Sequence, residues 1–159
     1  MKMTLKTEGD RQVIVTRRFA APPAAVFRAH TDPAIMPLWL TGPDGWKMTQ
    51  CISDARPGGT LRCDWTDADG GNGFHLTGEY IEIEAPHRMV HIERMHLPDP
   101  TPDNRVESRF DDAPDGGTLL TLIMELPDAE TRAAMLATGM EEGMEASYAR
   151  LDDMPLTAD

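Results

Sequence analysis

Arg56-Pro57-Gly58-Gly59-Thr60-Leu61-Arg62-Cys63-Asp64-Trp65 is followed, after a Gly/Asp-rich turn, by Gly78-Glu79-Tyr80-Ile81-Glu82-Ile83-Glu84-Ala85-Pro86-His87-Arg88-Met89-Val90. These are strand-like runs punctuated by Gly and Pro turns. Leu61, Cys63 and Trp65 alternate with polar residues, so one face is apolar and the other wet. That alternation belongs to an antiparallel sheet covered on one side. Phe74, Leu76 and Tyr80 share a face of the next strand, which runs from Phe74 to Glu84. Ile81 and Ile83 then change the phase, which predicts a bulge near Gly78.

Toward the N-terminus, Trp46 to Asp54 reads as the hairpin partner of Thr60 to Thr66, with Trp46, Met48 and Ile52 on one face. Gln12 to Phe19 is a further strand, stopped by Pro22-Pro23. Pro is tolerated in a first helical turn, so Ala24 to His30 reads as a short helix and Ala34 to Leu40 as a second. Toward the C-terminus, Arg88 to His96, Arg105 to Asp112 and Thr118 to Leu126 are strands. Val106, Ser108 and Phe110 share one face, as do Leu120, Leu122 and Met124. The strand from Arg88 to His96 has apolar residues on both parities, so its inward face is left open. A helix from Pro127-Asp128 to about Asp153 carries Leu136, Met140, Met144, Tyr148 and Leu151 as a stripe, with Glu141, Glu142, Glu145 and Asp152 outside it.

The expected fold is α+β. A curved antiparallel sheet of about six to seven strands grips a long C-terminal α-helix, with two short helices after the first strand. Residues 1–10 are expected to be a polar tail, 11–154 the domain and 155–159 a C-terminal tail.

The chain has 159 residues and a net charge of −12. An acidic surface repels phosphate backbones and anionic lipid, which argues against nucleic-acid and membrane partners. No apolar run is long enough to span a bilayer, and residues 1–10 lack an apolar signal core, so a cytoplasmic location is expected. Cys51 and Cys63 flank the Arg56–Gly59 turn. A loop of about four residues sets Ile52 opposite Cys63 and Cys51 opposite Asp64, on the other face, which predicts two free thiols.

Further residues add a family resemblance. They are Pro23-Ala24-Ala25-Val26-Phe27-Arg28-Ala29-His30-Thr31-Asp32-Pro33 with Trp39, then Arg56-Pro57-Gly58-Gly59, Gly78-Glu79-Tyr80 with Pro86, and Gly117-Thr118-Leu119-Leu120-Thr121. Together they resemble the SRPBCC superfamily, the helix-grip fold of START domains and birch-pollen-type allergens. Within it they resemble the branch related to the heat-shock-protein ATPase activator and to CalC. The resemblance spans about Gln12 to Asp153. Gly143-Met144 stands where that branch usually has Gly-Trp. These are mostly turn and packing residues, so they speak to fold more than to chemistry. The resemblance implies a monomer or a homodimer.

The Gly58-Gly59 pair joins strands and opens no helix, so it is a turn rather than a phosphate cradle. His30, His75, His87, His91 and His96 show no spacing that sets convergent ligands. Neither a metal nor a cofactor is expected. The candidate ligand-binding set is Met36, Trp39, Trp46, Met48, Trp65, Phe74, Leu76, Tyr80, His91, Ser108, Phe110, Met140, Met144 and Tyr148. Adaptable methionines and aromatics with polar tips line small-molecule pockets, and they also make ordinary cores. The leading expectation is a small apolar or aromatic ligand between sheet and helix, oriented by Tyr80 and His91. An enzyme of the cyclase, aromatase or hydrolase kind, with His91 or Tyr80 as acid–base, is the alternative that the resemblance implies. A protein–protein role like that of the ATPase activator is the third.

Overall fold

Period-two alternation builds the larger part of this protein, described here by a computed structural model for residues 2–97 and 100–156. The strands are β1 (Thr4–Glu8), β2 (Gln12–Phe19), β3 (Lys47–Ser53), β4 (Thr60–Thr66), β5 (Gly73–Glu84), β6 (Arg88–His96), β7 (Asn104–Asp112) and β8 (Thr118–Glu125). They form one eight-stranded antiparallel sheet in the order β1-β2-β8-β7-β6-β5-β4-β3. Helices α1 (Pro23–Thr31), α2 (Met36–Trp39), α3 (Ala129–Leu136) and α4 (Met140–Asp152) complete the α+β fold.

On β2, Val13, Val15, Arg17 and Phe19 are all buried and their neighbours are not, the pattern of a strand covered on one face. Leu61, Cys63 and Trp65 do the same on β4, and Val106, Ser108 and Phe110 are buried on β7, where Glu107 on the other face is buried as well. Trp39, Tyr80 and Phe110 are among the largest fully buried side chains. Each contributes roughly 1.5–3 kcal/mol of apolar burial. Trp39 also donates its indole N–H to the Ala29 carbonyl at 2.9 Å, which ties α2 to α1.

The structure corrects the expected fold at several points. Residues 1–10 are not only a tail: Thr4–Glu8 pairs with β2 as an edge strand and brings the count to eight. Only Leu5 of β1 packs on the core, so the segment carries no apolar alternation. The second short helix is confined to Met36–Trp39. The C-terminal helix is two helices, because Gly139 adopts φ 82° between α3 and α4. Asp128 caps α3 through a 2.7 Å bond from the Thr131 N–H.

The bulge of β5 lies between Tyr80 and Glu82 rather than at Gly78. It turns Ile81 outward and returns Ile83 to the core. Gly78 serves a different need: a Cβ there would stand 2.2 Å from the Ile92 carbonyl oxygen of the neighbouring strand. On β3, a register shift between Met48 and Gln50 moves Ile52 to the outer face and Cys51 to the inner one. Of the expected C-terminal tail, Leu156 packs on the core, and residues 157–159 lie outside the described residues.

Candidate functional site

The inner face of the sheet carries polar atoms where an apolar core would need none. On β6, the face left open by sequence is settled by pairing. His91 stands opposite Tyr80, Glu93 opposite Gly78 and Met95 opposite Leu76. The inward row is therefore Met89, His91, Glu93 and Met95. Val90 is buried on the outer side, where its partner Glu107 binds Arg88 at 3.0 Å and Arg109 at 2.7 Å.

His91 donates from Nε2 to a Glu93 carboxylate oxygen at 3.1 Å, because the carboxylate can only accept. In the neutral ring Nδ1 carries the lone pair, and that atom is buried with no partner. His30, on α1, repeats the arrangement. Its Nδ1 donates to the Val26 carbonyl at 2.8 Å, and its Nε2 is sealed and unpartnered. The residue keeps a partly exposed edge, but the sealed nitrogen is the atom that would take the proton. Burial pushes the His30 imidazole down to about 4, so the ring is neutral near pH 7.

Ser108 Oγ and Asn104 Oδ1 on β7 are also buried without partners. Val106 lies between them in the inward row and stands opposite His91. Phe110, the next inward residue, meets the His30 ring at 5.1 Å. Among the described residues five buried side-chain atoms lack a partner, and four of them, all but Arg28 Nε, border one band across α1, β6 and β7. Three of them, the Asn104 oxygen and, in neutral rings, the two histidine nitrogens, are pure acceptors. Leaving buried polar atoms unmet costs about 1–3 kcal/mol each, so this band is the part of the core least explained by folding alone.

The aromatic wall is built from several elements. Tyr148 of α4 stacks on Trp39 at 6.1 Å and meets the Phe19 ring edge-on at 5.6 Å. The His30 ring is 4.8 Å from Trp39. Burial raises the Tyr148 phenol well above its ordinary range, with Glu93 and Glu145 adding to the shift and Arg17 opposing it. Tyr80 is held differently. Ser53 Oγ donates to the Thr31 carbonyl at 2.6 Å, so Tyr80 must donate to Ser53 at 2.7 Å. Burial pushes its phenol up to about 12. Its proton is committed to the scaffold rather than to the interior.

All the residues singled out by sequence fall on the inside. Met36, Trp39, Trp65, Leu76, Tyr80, His91, Ser108, Phe110 and Tyr148 are buried, while Trp46, Met48, Phe74, Met140 and Met144 are half-buried and pack on the same cluster. Sequence reasoning missed His30 and Asn104 as site residues, and it offered Glu93, beside Arg94, only as a buried polar candidate whose face was open. His30 had a usable signal, an uncapped polar residue on the buried side of an apolar helix. The other two depend on cross-strand pairing. A shallow depression of about 380 Å³ lies elsewhere, at the ends of β3 to β6, beside the stacked rings of His75 and His96. It contains none of the orphaned atoms, and the interior band is the better candidate. Among the described residues no group of three or more His, Cys, Asp and Glu is arranged to hold a metal ion, and no helix is long and apolar enough to cross a membrane.

Residues 20–154 match the family described as activator of Hsp90 ATPase homolog 1-like protein. Among solved structures, a Rhodobacter sphaeroides protein is 32% identical, with 96% of each chain covered and a TM-score of 0.88. A Mycobacterium smegmatis protein is 24% identical over 94% of this chain and 93% of that one, with a TM-score of 0.82. An AHSA1-like protein from Aeromonas hydrophila is 22% identical over 89% of this chain and 92% of that one, with a TM-score of 0.74. Comparison with curated proteins finds no match.

Proposed function

This chain belongs to the family of activator of Hsp90 ATPase homolog 1-like proteins, and from that premise we propose that it binds a small, largely apolar molecule between the sheet and α4. The observation that carries the reading is the band of sealed, unpartnered atoms: His30 Nε2, His91 Nδ1, Asn104 Oδ1 and Ser108 Oγ. Three acceptors facing an aromatic wall favour a ligand that brings hydrogen-bond donors on an apolar or aromatic frame. Met140 and Met144, half-buried on α4, supply an adaptable lip through which such a ligand enters.

The experiment is non-denaturing mass spectrometry of freshly purified protein beside the same sample denatured. A mass excess that vanishes on denaturation, and that His91→Leu and Ser108→Ala each diminish, supports the reading. A bare polypeptide mass, together with no uptake from a panel of phenols, indoles and aliphatic alcohols, ends it. The same spectrum distinguishes monomer from homodimer.

A second reading rests on the His91–Glu93 pair. A carboxylate that orients one ring nitrogen and leaves the other free is the geometry of a general base. Turnover of a bound ester or enolisable ketone that His91→Gln abolishes, while uptake of the compound persists, would favour a cyclase- or hydrolase-like enzyme. A partner-protein role draws less support. The exposed large apolar residues Leu38, Ile52, Ile81, Leu97 and Leu119 are spread over separate segments.

A further inference from the structure

Cys51 and Cys63 stand directly opposite each other on β3 and β4. Sequence reasoning set Cys51 opposite Asp64; the observed register is one residue away from that. The Asp54 N–H donates to the Thr60 carbonyl at 2.9 Å, so Asp54 and Thr60, aligned in the same register, form a hydrogen-bonded pair. Pair type alternates along an antiparallel ladder, and Cys51–Cys63 is therefore a non-hydrogen-bonded pair. In such pairs Cα atoms lie about 4.5 Å apart and side chains approach most nearly. That spacing falls within the range of about 4.4–6.8 Å that a disulfide bridges.

Both thiols are free. They differ in setting. Cys63 is 1% exposed, between Leu61 and Trp65 on the inner face. Cys51 is half-buried on β3, an edge strand of the sheet, and its Sγ lies 3.7 Å from the Met36 thioether. A hydrogen bond from Cys63 holds the Cys51 thiol below its usual range, and the same bond, with burial, pushes Cys63 up. Cys51 is thus the sulfur that a disulfide arriving from solution meets first.

We infer that Cys51 and Cys63 form a site of reversible covalent modification, oxidised to an intramolecular disulfide by low-molecular-weight disulfides of the glutathione class. The Cys51 thiolate attacks one sulfur of glutathione disulfide, whose S–S bond breaks, and one glutathione thiolate leaves. Cys63 then attacks the Cys51 sulfur of the mixed disulfide, its proton passing to the departing glutathione. The second glutathione leaves as thiolate and takes up a proton. The two protein thiols are oxidised together, and one glutathione disulfide is reduced to two glutathiones. The product is neutral, which suits apolar surroundings where a thiolate is costly. It staples edge strand β3 to β4 and draws Cys51 away from Met36 of α2, the helix that also carries Trp39. The inference stands whether or not the interior holds a ligand.

The test equilibrates the full chain, without oxygen, in glutathione buffers of rising oxidised fraction. Samples are trapped with N-ethylmaleimide and weighed intact and as peptides. The native protein is expected to pass from two maleimide adducts to none without a lasting glutathione adduct. One peptide pair then carries Cys51 joined to Cys63, and dithiothreitol restores both thiols. Cys63→Ser should stop at a single glutathione on Cys51, and Cys51→Ser should stay unmodified while folded. A wild-type chain that retains glutathione, links to a second chain, or keeps both thiols open to maleimide in nearly fully oxidised buffer would overturn the inference. So would loss of the native circular-dichroism signal in step with oxidation, because the reaction would then belong to the unfolded chain.

Discussion

The guanidinium of Arg17, on the inner face of β2, is held by the carboxylate of Glu145 on α4 at 3.1 Å. The Arg17 side chain is 2% exposed, also meets Asp152 at 3.4 Å and lies over the Phe19 ring at 4.9 Å. Helix and sheet are therefore joined by a charge pair as well as by apolar packing. Burial raises the Glu145 carboxyl, but bonds from Arg17 and the Met3 N–H outweigh it, and the net direction is down.

Breaking this clamp at Glu145 leaves the buried Arg17 charge with Asp152 as its remaining acid partner. Glu145→Ala is expected to cost about 2 kcal/mol in chemical denaturation, since the almost fully buried Arg17 loses its nearer partner and keeps Asp152 at 3.4 Å. Arg17→Met, which removes that buried charge and keeps the stem, should cost less. Equal losses from the two variants would refute the pair as the source of the effect.

Acid should destabilise the protein in a window set by His30. Its folded value of about 4 lies below the ordinary 6.5, so the unfolded chain binds the proton more readily. The contribution is complete above about pH 6.5 and is lost as pH falls toward 4, for a total of about 2–3 kcal/mol. Glu145 and Glu107, both held below the usual carboxylate range, lose their contributions at still lower pH, below their unfolded values. Urea midpoints measured from pH 7 to pH 4 should decline, and His30→Gln should flatten the slope in the upper part of that window. An unchanged slope would place the titrating group elsewhere.

The two tyrosines, Tyr80 and Tyr148, are both buried. Burial pushes Tyr80 up to about 12 and Tyr148 higher still. Near-ultraviolet absorbance at pH 10.5 should therefore show little tyrosinate in the native protein and a majority of it in urea. Substantial tyrosinate in the folded protein would mean that solvent reaches these rings.

Gly139 interrupts what would otherwise be one helix. Its φ of 82° is left-handed, and a Cβ there would have only a Glu142 side-chain oxygen at 3.7 Å for company. Gly139→Ala is thus a backbone test with little steric confusion. It should cost about 1 kcal/mol, or a few degrees of Tm on thermal unfolding. No change would mean that α3 and α4 readily fuse.

Met144→Trp addresses the binding proposal. Met144 is half-buried on α4 and packs on the interior cluster. A bulkier indole on this face of α4 should obstruct the proposed site and abolish ligand uptake while circular dichroism stays native. Retained uptake would move the pocket away from α4.

Much of the architecture was legible from alternation and punctuation. β2, β4, β7 and β8 each bury their apolar residues on one parity, so those residues announce their faces: Val13 and Val15, Leu61 and Cys63, Val106 and Phe110, Leu120 and Met124. β1 was not legible, because Thr4–Glu8 is an edge strand held by main-chain bonds to β2, with one inward apolar side chain. Backbone hydrogen bonding leaves no hydropathy signature.

Local sequence thus sufficed for the helix-grip order, the turn positions and the pool of aromatic and methionine residues from which the interior is drawn. Those features depend on neighbours within a few residues. Which face of β6 turns inward, that His91 meets Tyr80, and that Cys51 meets Cys63 are set by register. A single bulge, between Met48 and Gln50 or between Tyr80 and Glu82, reverses every side chain beyond it. Pairing energies summed over the whole eight-stranded sheet select that register, and no short segment carries them.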